Sequence, residues 1–210
     1  MCGIVAVRWT NLNRAISQVE RSLEILSNRG KDAWGMAIGK SDIFSEATII
    51  KRTSRIDDRK NKKIIFRELR KIKNSGWLIL HSRLATNGYC GLTEHNHPIQ
   101  YRNTELVHNG LVVRWPNELD HLIDPKKTDS QNLAVVLDSI ESSKWETLLN
   151  EISGEISIVW RSGQLNDLYI YTNVGGLYLD AHEDSSIISS EPIQVGNQSK
   201  KIAIGKIIQI

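Results

Sequence analysis

The chain has 210 residues, 40% hydrophobic and 24% charged, which is ordinary for one folded domain with a sizeable core. Its two cysteines, Cys2 and Cys90, are too few for the disulfide framework of a small secreted protein. No segment has the apolar length of a membrane helix, and no basic segment precedes the apolar residues 3–7 as in a signal peptide, so we expect a cytoplasmic protein without membrane contact.

Taken in chain order, the pattern predicts short strands separated by turns, with a few helices. In the first half, an amphipathic helix begins near Leu12 and stops at Asn28 and Gly30, and a basic helix is marked by Ile65 and Leu69, with Ile72. Strands are predicted at 2–9, 33–39, 46–53 and 76–83.

In the second half, the Asn-Gly pair at 109–110 is a favoured turn and predicts a hairpin over 104–113. Two helices are predicted, at 128–142 and around 145–152, followed by strands at 155–162, 167–173, 176–180, 186–190 and 204–210. Many strands, few helices and mixed connections favour an α+β fold of stacked layers over a βαβ repeat.

The net charge of +3 is unevenly distributed. Residues 51–73 hold eleven Lys or Arg and three Asp or Glu, a balance of +8 that leaves about −5 for the remainder. Phe66 is the only aromatic residue in this segment, which disfavours a nucleic-acid-binding module. A solvated helix is the simplest interpretation; docking of an acidic partner or recognition of a phosphorylated acceptor stays open.

Cys2 follows the start methionine, so removal of Met1 makes it the N-terminal residue. A thiol attacks as its thiolate and therefore needs a base. The free α-amine, whose unperturbed pKa is about 7.7–8.0, can serve as that base. The other interpretation is a buried strand residue without a chemical role, and position alone does not decide between the two.

Six blocks occur in order: "CGIVAV", "LSNRGKDAWGMAI", "LHSRLATNG", "NHPI", "LVHNGLVV" and "TDSQNLAV". Together they resemble the class II glutamine amidotransferase domain, a member of the N-terminal nucleophile hydrolases. The resemblance covers nearly the whole chain, including "SIISSEPI" and the closing "AIGKIIQI". A lone CGI would be weak evidence, whereas six blocks in register are specific.

The resemblance implies a four-layer αββα sandwich of two antiparallel sheets, with residues 1–210 forming a single amidotransferase domain. It also implies hydrolysis of the glutamine side-chain amide to glutamate and ammonia, without a cofactor. The synthase domain that is usually fused in this family has no counterpart in these residues. We therefore expect a separate synthase subunit to receive the ammonia.

The resemblance also implies catalytic roles at three positions. Cys2 would attack the amide carbon, and its own amine would carry the thiol proton to the departing ammonia. Asn109 and Gly110 would donate to the oxyanion through a side-chain amide and a backbone N–H. The expected hairpin turn at these two residues would present both donors on a rigid frame.

L-Glutamine is a zwitterion, so a selective site needs a cation for its carboxylate and an anion for its amine. Arg83 and Asp129 match the family's residues for these two groups, although Asp129 by itself reads as a helix N-terminal acid. Thr86 and His97 match positions that support or orient the substrate loop. Loop support close to the site is expected of Arg29, Gly30 and Asp32.

A zinc site is one alternative, with Cys90, His95 and His97 as ligands and His81 or His108 as the fourth. The C-x4-H-x-H spacing is not a usual structural zinc pattern, so we expect no metal site.

A different substrate is a second alternative, because an N-terminal nucleophile amidase or peptidase would share Cys2 and the oxyanion donors. Such an enzyme has no need of a zwitterion clamp, so the joint presence of Arg83 and Asp129 favours glutamine. A pseudoenzyme is disfavoured because every residue needed for hydrolysis is present.

Overall fold

The computed structural model describes residues 2–42, 45–84, 93–162, 165–193 and 199–210. Within these ranges the helices are α1 Leu12–Arg29, α2 Arg59–Lys71, α3 Asp129–Ser139 and α4 Trp145–Glu151. The strands are β1 Gly3–Trp9, β2 Ala33–Lys40, β3 Thr48–Arg52, β4 Gly76–Arg83, β5 Ile99–Tyr101, β6 Thr104–Arg114, β7 Ser153–Ser162, β8 Asp167–Thr172, β9 Tyr178–Ala181, β10 Ser185–Ser189, β11 Lys200–Lys201 and β12 Ile208–Gln209.

The strands form two sheets in which every described pairing is antiparallel. The first has the order β11-β9-β10-β1-β4-β2-β3, and the second has the order β12-β8-β7-β6-β5. β1 therefore lies inside the first sheet, hydrogen-bonded to β10 on one side and to β4 on the other. The strand that begins next to Cys2 is thereby fixed on both edges.

Alternating side chains of β1 supply two different cores. Val5 and Val7 pack with α1 and α2 in one buried cluster. Ile4 and Ala6 face the second sheet in another. A third cluster, which contains Leu133 of α3, lies on the far side of the second sheet with α3 and α4. The order of layers is helices, sheet, sheet, helices, so the predicted four-layer αββα sandwich is confirmed.

The predicted hairpin at Asn109 and Gly110 is wrong. β6 runs without a turn from Thr104 to Arg114 and pairs with β7 on both sides of the Asn-Gly pair, with Asn109 opposite Ser157 and Gly110 opposite Ile156; the register shifts between Val112 and Arg114. An Asn-Gly pair favours a turn only as a local preference, and the cross-strand pairing together with the burial of residues 104–108 outweighs that preference here. The pair instead lies mid-strand, facing the first sheet.

The basic segment contains the predicted amphipathic helix, α2. Ile65 and Leu69 are buried against the first sheet, and Ile72 follows directly after the helix ends. Glu68 is buried as well, and its carboxylate accepts from Lys71 at 2.6 Å and pairs with Arg67 at 2.9 Å. The remaining Lys and Arg side chains of α2 are exposed to solvent.

Among the described residues, no helix combines the length and the apolar character that a membrane crossing requires.

Candidate active site

A cavity of about 710 Å³ opens where the ends of β1 and β4 meet β6 and the start of α3. Seven residues singled out from the sequence line it: Cys2, Arg29, Arg83, His97, Asn109, Gly110 and Asp129. They come from six separate parts of the chain. Thr86 and Cys90 lie outside the described residues.

Cys2 precedes the first residue of β1 and is half-buried. Its Sγ lies 3.7 Å from the carbonyl oxygen of Leu84. Its own carbonyl oxygen accepts from Arg29 Nε at 2.8 Å and from Asn109 Nδ2 at 3.0 Å. Two side chains from different elements thus hold the backbone of Cys2, while the thiol faces the cavity.

Gly110 has a backbone conformation that other residues rarely adopt, with φ of +133°. A Cβ atom built on it would overlap the carbonyl oxygen of Glu155 on β7. Glycine is therefore required here both for its torsion angles and for the close approach of the two strands. Because of this local distortion, Asn109 and Gly110 both line the cavity within an otherwise regular strand pairing.

Arg83 is the last residue of β4, and its Nη1 donates to Asn96 Oδ1 at 2.6 Å. Asn96 is buried at the base of the loop before β5, so this contact fixes the direction of the guanidinium. The backbone of Asp32 donates to the Arg83 carbonyl at 3.0 Å, and a Cβ on Gly30 would overlap the backbone of Ser82. Gly30 and Asp32 thus support the end of β4.

Asp129 is the first residue of α3, whose N-terminus is closed by a capping box between Thr128 and Gln131. Asp129 Oδ1 accepts from the backbone of Ser130 at 2.7 Å, and Oδ2 accepts from the backbone of Val112 at 3.1 Å. Asp129 therefore lies at the N-terminus of α3 and lines the cavity at the same time, so the helix-terminal role and the substrate-binding role are compatible.

Three histidines in the cavity wall are neutral at neutral pH. Burial lowers the pKa of His81 to about 3 and lowers the pKa of His97 well below its ordinary value. Burial also lowers the pKa of His108, and Asp129 acts in the opposite direction with Oδ2 3.8 Å from His108 Nδ1. The ring centres of His81 and His97 are 4.5 Å apart, and both buried ring nitrogens of His97 have no hydrogen-bond partner within the described part of the chain.

Sequence reasoning missed Asn96 and considered His81 only as a possible zinc ligand. Asn96, which orients Arg83, stands beside His97 in "EHNHP", and a polar residue next to a predicted site histidine was the available signal. His81 stands two residues before Arg83, at the spacing that puts both side chains on one face of a strand. Among the described residues, no group of three or more His, Cys, Asp or Glu is arranged to hold a metal ion.

Comparison with known proteins finds one curated relative and several structures of similar fold. No family model matches the chain. A curated relative, the glutamine–fructose-6-phosphate aminotransferase [isomerizing] of Buchnera aphidicola subsp. Baizongia pistaciae, is 26% identical over 215 aligned residues, which cover 96% of this chain and 34% of that protein. The chain is therefore similar to a glutamine-dependent aminotransferase over about a third of that protein's length.

Two solved structures share the fold of the chain. The glutamine phosphoribosylpyrophosphate amidotransferase of B. subtilis superposes on the whole chain with a TM-score of 0.68 at 17% identity. The allosteric regulatory enzyme of purine biosynthesis does so with a TM-score of 0.75 at 19% identity. This chain spans 47% of the length of each of these two proteins and about a third of the curated relative.

Proposed function

We propose that this domain hydrolyses the side-chain amide of L-glutamine to glutamate and ammonia, with Cys2 as the nucleophile. The observation that carries the proposal is the convergence of Cys2, Arg83 and Asp129 on one cavity. A cavity lined by a thiol, a cation and an anion suits a substrate that has an amide at one end and both charges of a zwitterion at the other. A general amidase would need the thiol without the two charges.

The chemical step uses the two functional groups of Cys2. After Met1 is removed, the α-amine takes the thiol proton, and the thiolate attacks the amide carbon to give a tetrahedral oxyanion. When the intermediate collapses, the C–N bond breaks, the ammonium of Cys2 returns the proton to the leaving nitrogen, and a thioester remains. Water then attacks the thioester carbon with the amine again as base, and glutamate leaves as the thiol is restored.

Asn109 and Gly110 are proposed to stabilise the oxyanion. The Asn109 amide has two N–H hydrogens, of which one serves the Cys2 carbonyl. The other is available to the substrate, next to the backbone N–H of Gly110. Because these donors are already fixed, they do not have to reorganise as negative charge develops. Such preorganised donors stabilise the transition state more than the bound substrate.

Arg83 and Asp129 are proposed to bind the α-carboxylate and the α-amine of glutamine. Arg83 Nη1 donates to Asn96, and a guanidinium is the cation whose geometry best matches a carboxylate. Asp129 Oδ1 accepts from the backbone and the hydroxyl of Ser130, whereas Oδ2 accepts from the backbone of Val112 and has a second lone pair for the substrate ammonium. His97 and Thr86 are proposed to support this end of the site.

The ammonia is proposed to pass to a synthase, since the curated relative is named as an aminotransferase and is about three times longer than the matched domain. Copurification of this protein with an ammonia-consuming enzyme would test whether the synthase is a separate subunit.

The first experiment is intact-mass measurement before and after treatment with the glutamine analogue 6-diazo-5-oxonorleucine. The proposal expects a protein that lacks Met1 and gains one adduct on Cys2. A Cys2→Ala variant, matched in every other residue, should gain none. A folded protein that retains Met1 and takes no adduct would contradict the proposed nucleophile.

A further inference from the structure

His81, Asn109 and Cys2 form a chain of hydrogen bonds through the wall of the cavity. His81 Nε2 lies 3.2 Å from Asn109 Oδ1, and Asn109 Nδ2 lies 3.0 Å from the Cys2 carbonyl oxygen. His81 is 1% exposed, on the face of β4 that looks toward the second sheet. These hydrogen bonds link β4 of the first sheet to β6 of the second through Asn109, one of the proposed oxyanion donors.

The donor and the acceptor of each hydrogen bond follow from the Cys2 carbonyl oxygen at the end of the series. The Cys2 carbonyl oxygen can only accept, so the amide nitrogen of Asn109 must face it and the amide oxygen must face His81. An oxygen in that position also only accepts, so His81 Nε2 must carry the proton. A neutral imidazole has one N–H, which leaves Nδ1 without a proton, and among the described residues the buried His81 Nδ1 has no hydrogen-bond partner.

We propose that His81 is a positioning residue that fixes the orientation of the Asn109 amide through an Nε2–H donor. This inference rests on the proposed function, since its purpose is to keep the second Nδ2 hydrogen of Asn109 directed to the oxyanion. His81 touches neither the thiol nor the substrate in this role. It acts through Asn109, and His97 packs against its ring at 4.5 Å and confines it.

A role as general base does not fit the same residue. Its Nε2 proton is already donated to Asn109, and burial keeps the imidazole neutral. A base for the thiol would have to accept a proton and charge while enclosed in a low-dielectric wall, which is costly. His81 therefore contributes orientation alone, and its replacement should leave the pH profile of kcat unchanged in shape.

The kinetic test compares two replacements of similar size. His81→Gln keeps an N–H near the position of Nε2, whereas His81→Leu removes the donor. We expect His81→Leu to lower kcat about tenfold or more with KM changed by less than about threefold, because a misoriented oxyanion donor affects mainly the transition state. His81→Gln should recover most of the loss. His81→Met replaces His81→Leu if that variant does not fold.

The matched control is Ser82→Ala, on the opposite face of β4. It removes the buried 2.6 Å hydrogen bond from Ser82 Oγ to Leu26 O. The hydrogen bonds that join His81, Asn109 and Cys2 stay intact. Its kcat should stay near that of the unmodified protein. An equal loss in His81→Leu and Ser82→Ala, an equal loss in His81→Leu and His81→Gln, or full activity of His81→Leu would each overturn the inference.

A spectroscopic readout separates this inference from the proposed function. In protein with ¹⁵N-labelled histidine, the resonances that disappear in His81→Gln belong to His81, and they should report a neutral ring protonated at Nε2. A ring protonated at Nδ1 would overturn the positioning role. Absence of glutamine hydrolysis by the unmodified protein, together with the Nε2–H tautomer, would count against the proposed reaction and not against the hydrogen-bond chain.

Discussion

The guanidinium of Arg29 donates through Nε to the carbonyl oxygen of Cys2 at 2.8 Å. Its Nη1 donates at 2.9 Å to Glu191, beyond the end of β10. The last residue of α1 therefore contacts the residue proposed as nucleophile, which is more direct than the loop support expected from the sequence. A buried carbonyl with a charged donor is held more firmly than one with a neutral donor.

Arg29→Ala should lower kcat about tenfold and cost about 1–3 kcal/mol of unfolding free energy, because one of the two side-chain donors to the Cys2 carbonyl is lost. Steady-state kinetics and urea unfolding measure the two effects. Glu191→Ala is the matched control, since it removes the outer partner of Arg29 and leaves the contact with Cys2. Equal kinetic losses in both variants would assign the effect to the ion pair.

Arg83→Ala should raise KM for glutamine by about 10- to 100-fold, since a charge-assisted hydrogen bond is worth about 1.5–3 kcal/mol. Asn96→Ala should raise KM less, because it frees the guanidinium without removing it. Both values come from initial rates over a range of glutamine concentrations. An unchanged KM in Arg83→Ala would favour an amidase for another substrate.

Gly110→Ala should cost more than about 3 kcal/mol of unfolding free energy, because the added methyl overlaps Glu155 and φ is strained for alanine. Gly176→Ala is the matched control. It also has positive φ, +81°, but nothing lies within 4 Å of its added Cβ, so it should cost about 1–2 kcal/mol. Urea unfolding of both variants separates strain from overlap, and similar costs would contradict the close approach at β7.

Acid should destabilise the fold through its buried histidines. Burial lowers the pKa of His81 to about 3 from an ordinary 6.5, so below pH 6.5 the unfolded chain binds a proton that the folded chain does not. Its contribution to stability is complete above pH 6.5 and is lost progressively as the pH falls toward 3. At pH 5 the loss from this group is about 2 kcal/mol.

His81→Gln tests this linkage without reference to catalysis. The fall in unfolding free energy between pH 7 and pH 5 should be smaller in the variant by about 2 kcal/mol, since glutamine does not titrate. Urea unfolding at several pH values measures it, and above pH 7 the difference between the two proteins should be constant. An identical pH dependence would mean that His81 is protonated in the folded state.

Local pattern was sufficient for much of the fold. The apolar run of β1 and the helical spacing of α1 predict both elements, because β1 is buried on both faces and α1 on one. It was insufficient at Asn109, where turn preference pointed to a hairpin and the pairing of β6 with β7 gave a continuous strand. That pairing joins residues about fifty positions apart, so no short window contains the information.

In the candidate site, too, the sequence contains part of the information and the stacking of the sheets contains the rest. A family resemblance suggested which residues matter, including Cys2 and Arg83, because the residue types carry the chemistry. The distances among them depend on how two sheets stack, and no spacing along the chain encodes those distances. The contacts from His81 to Asn109 and from Arg29 to Cys2 are consequences of that stacking.

The enclosure of β1 has a consequence for local opening of the molecule. A strand paired on both edges and covered on both faces cannot fray, so the amides of residues 4–7 should exchange with solvent deuterium only when the whole domain unfolds. Most enzymes carry their reactive groups on loops, which open at low cost. Here the residue proposed to react is joined directly to the slowest-exchanging segment. Losing the geometry of its backbone would then require losing the fold.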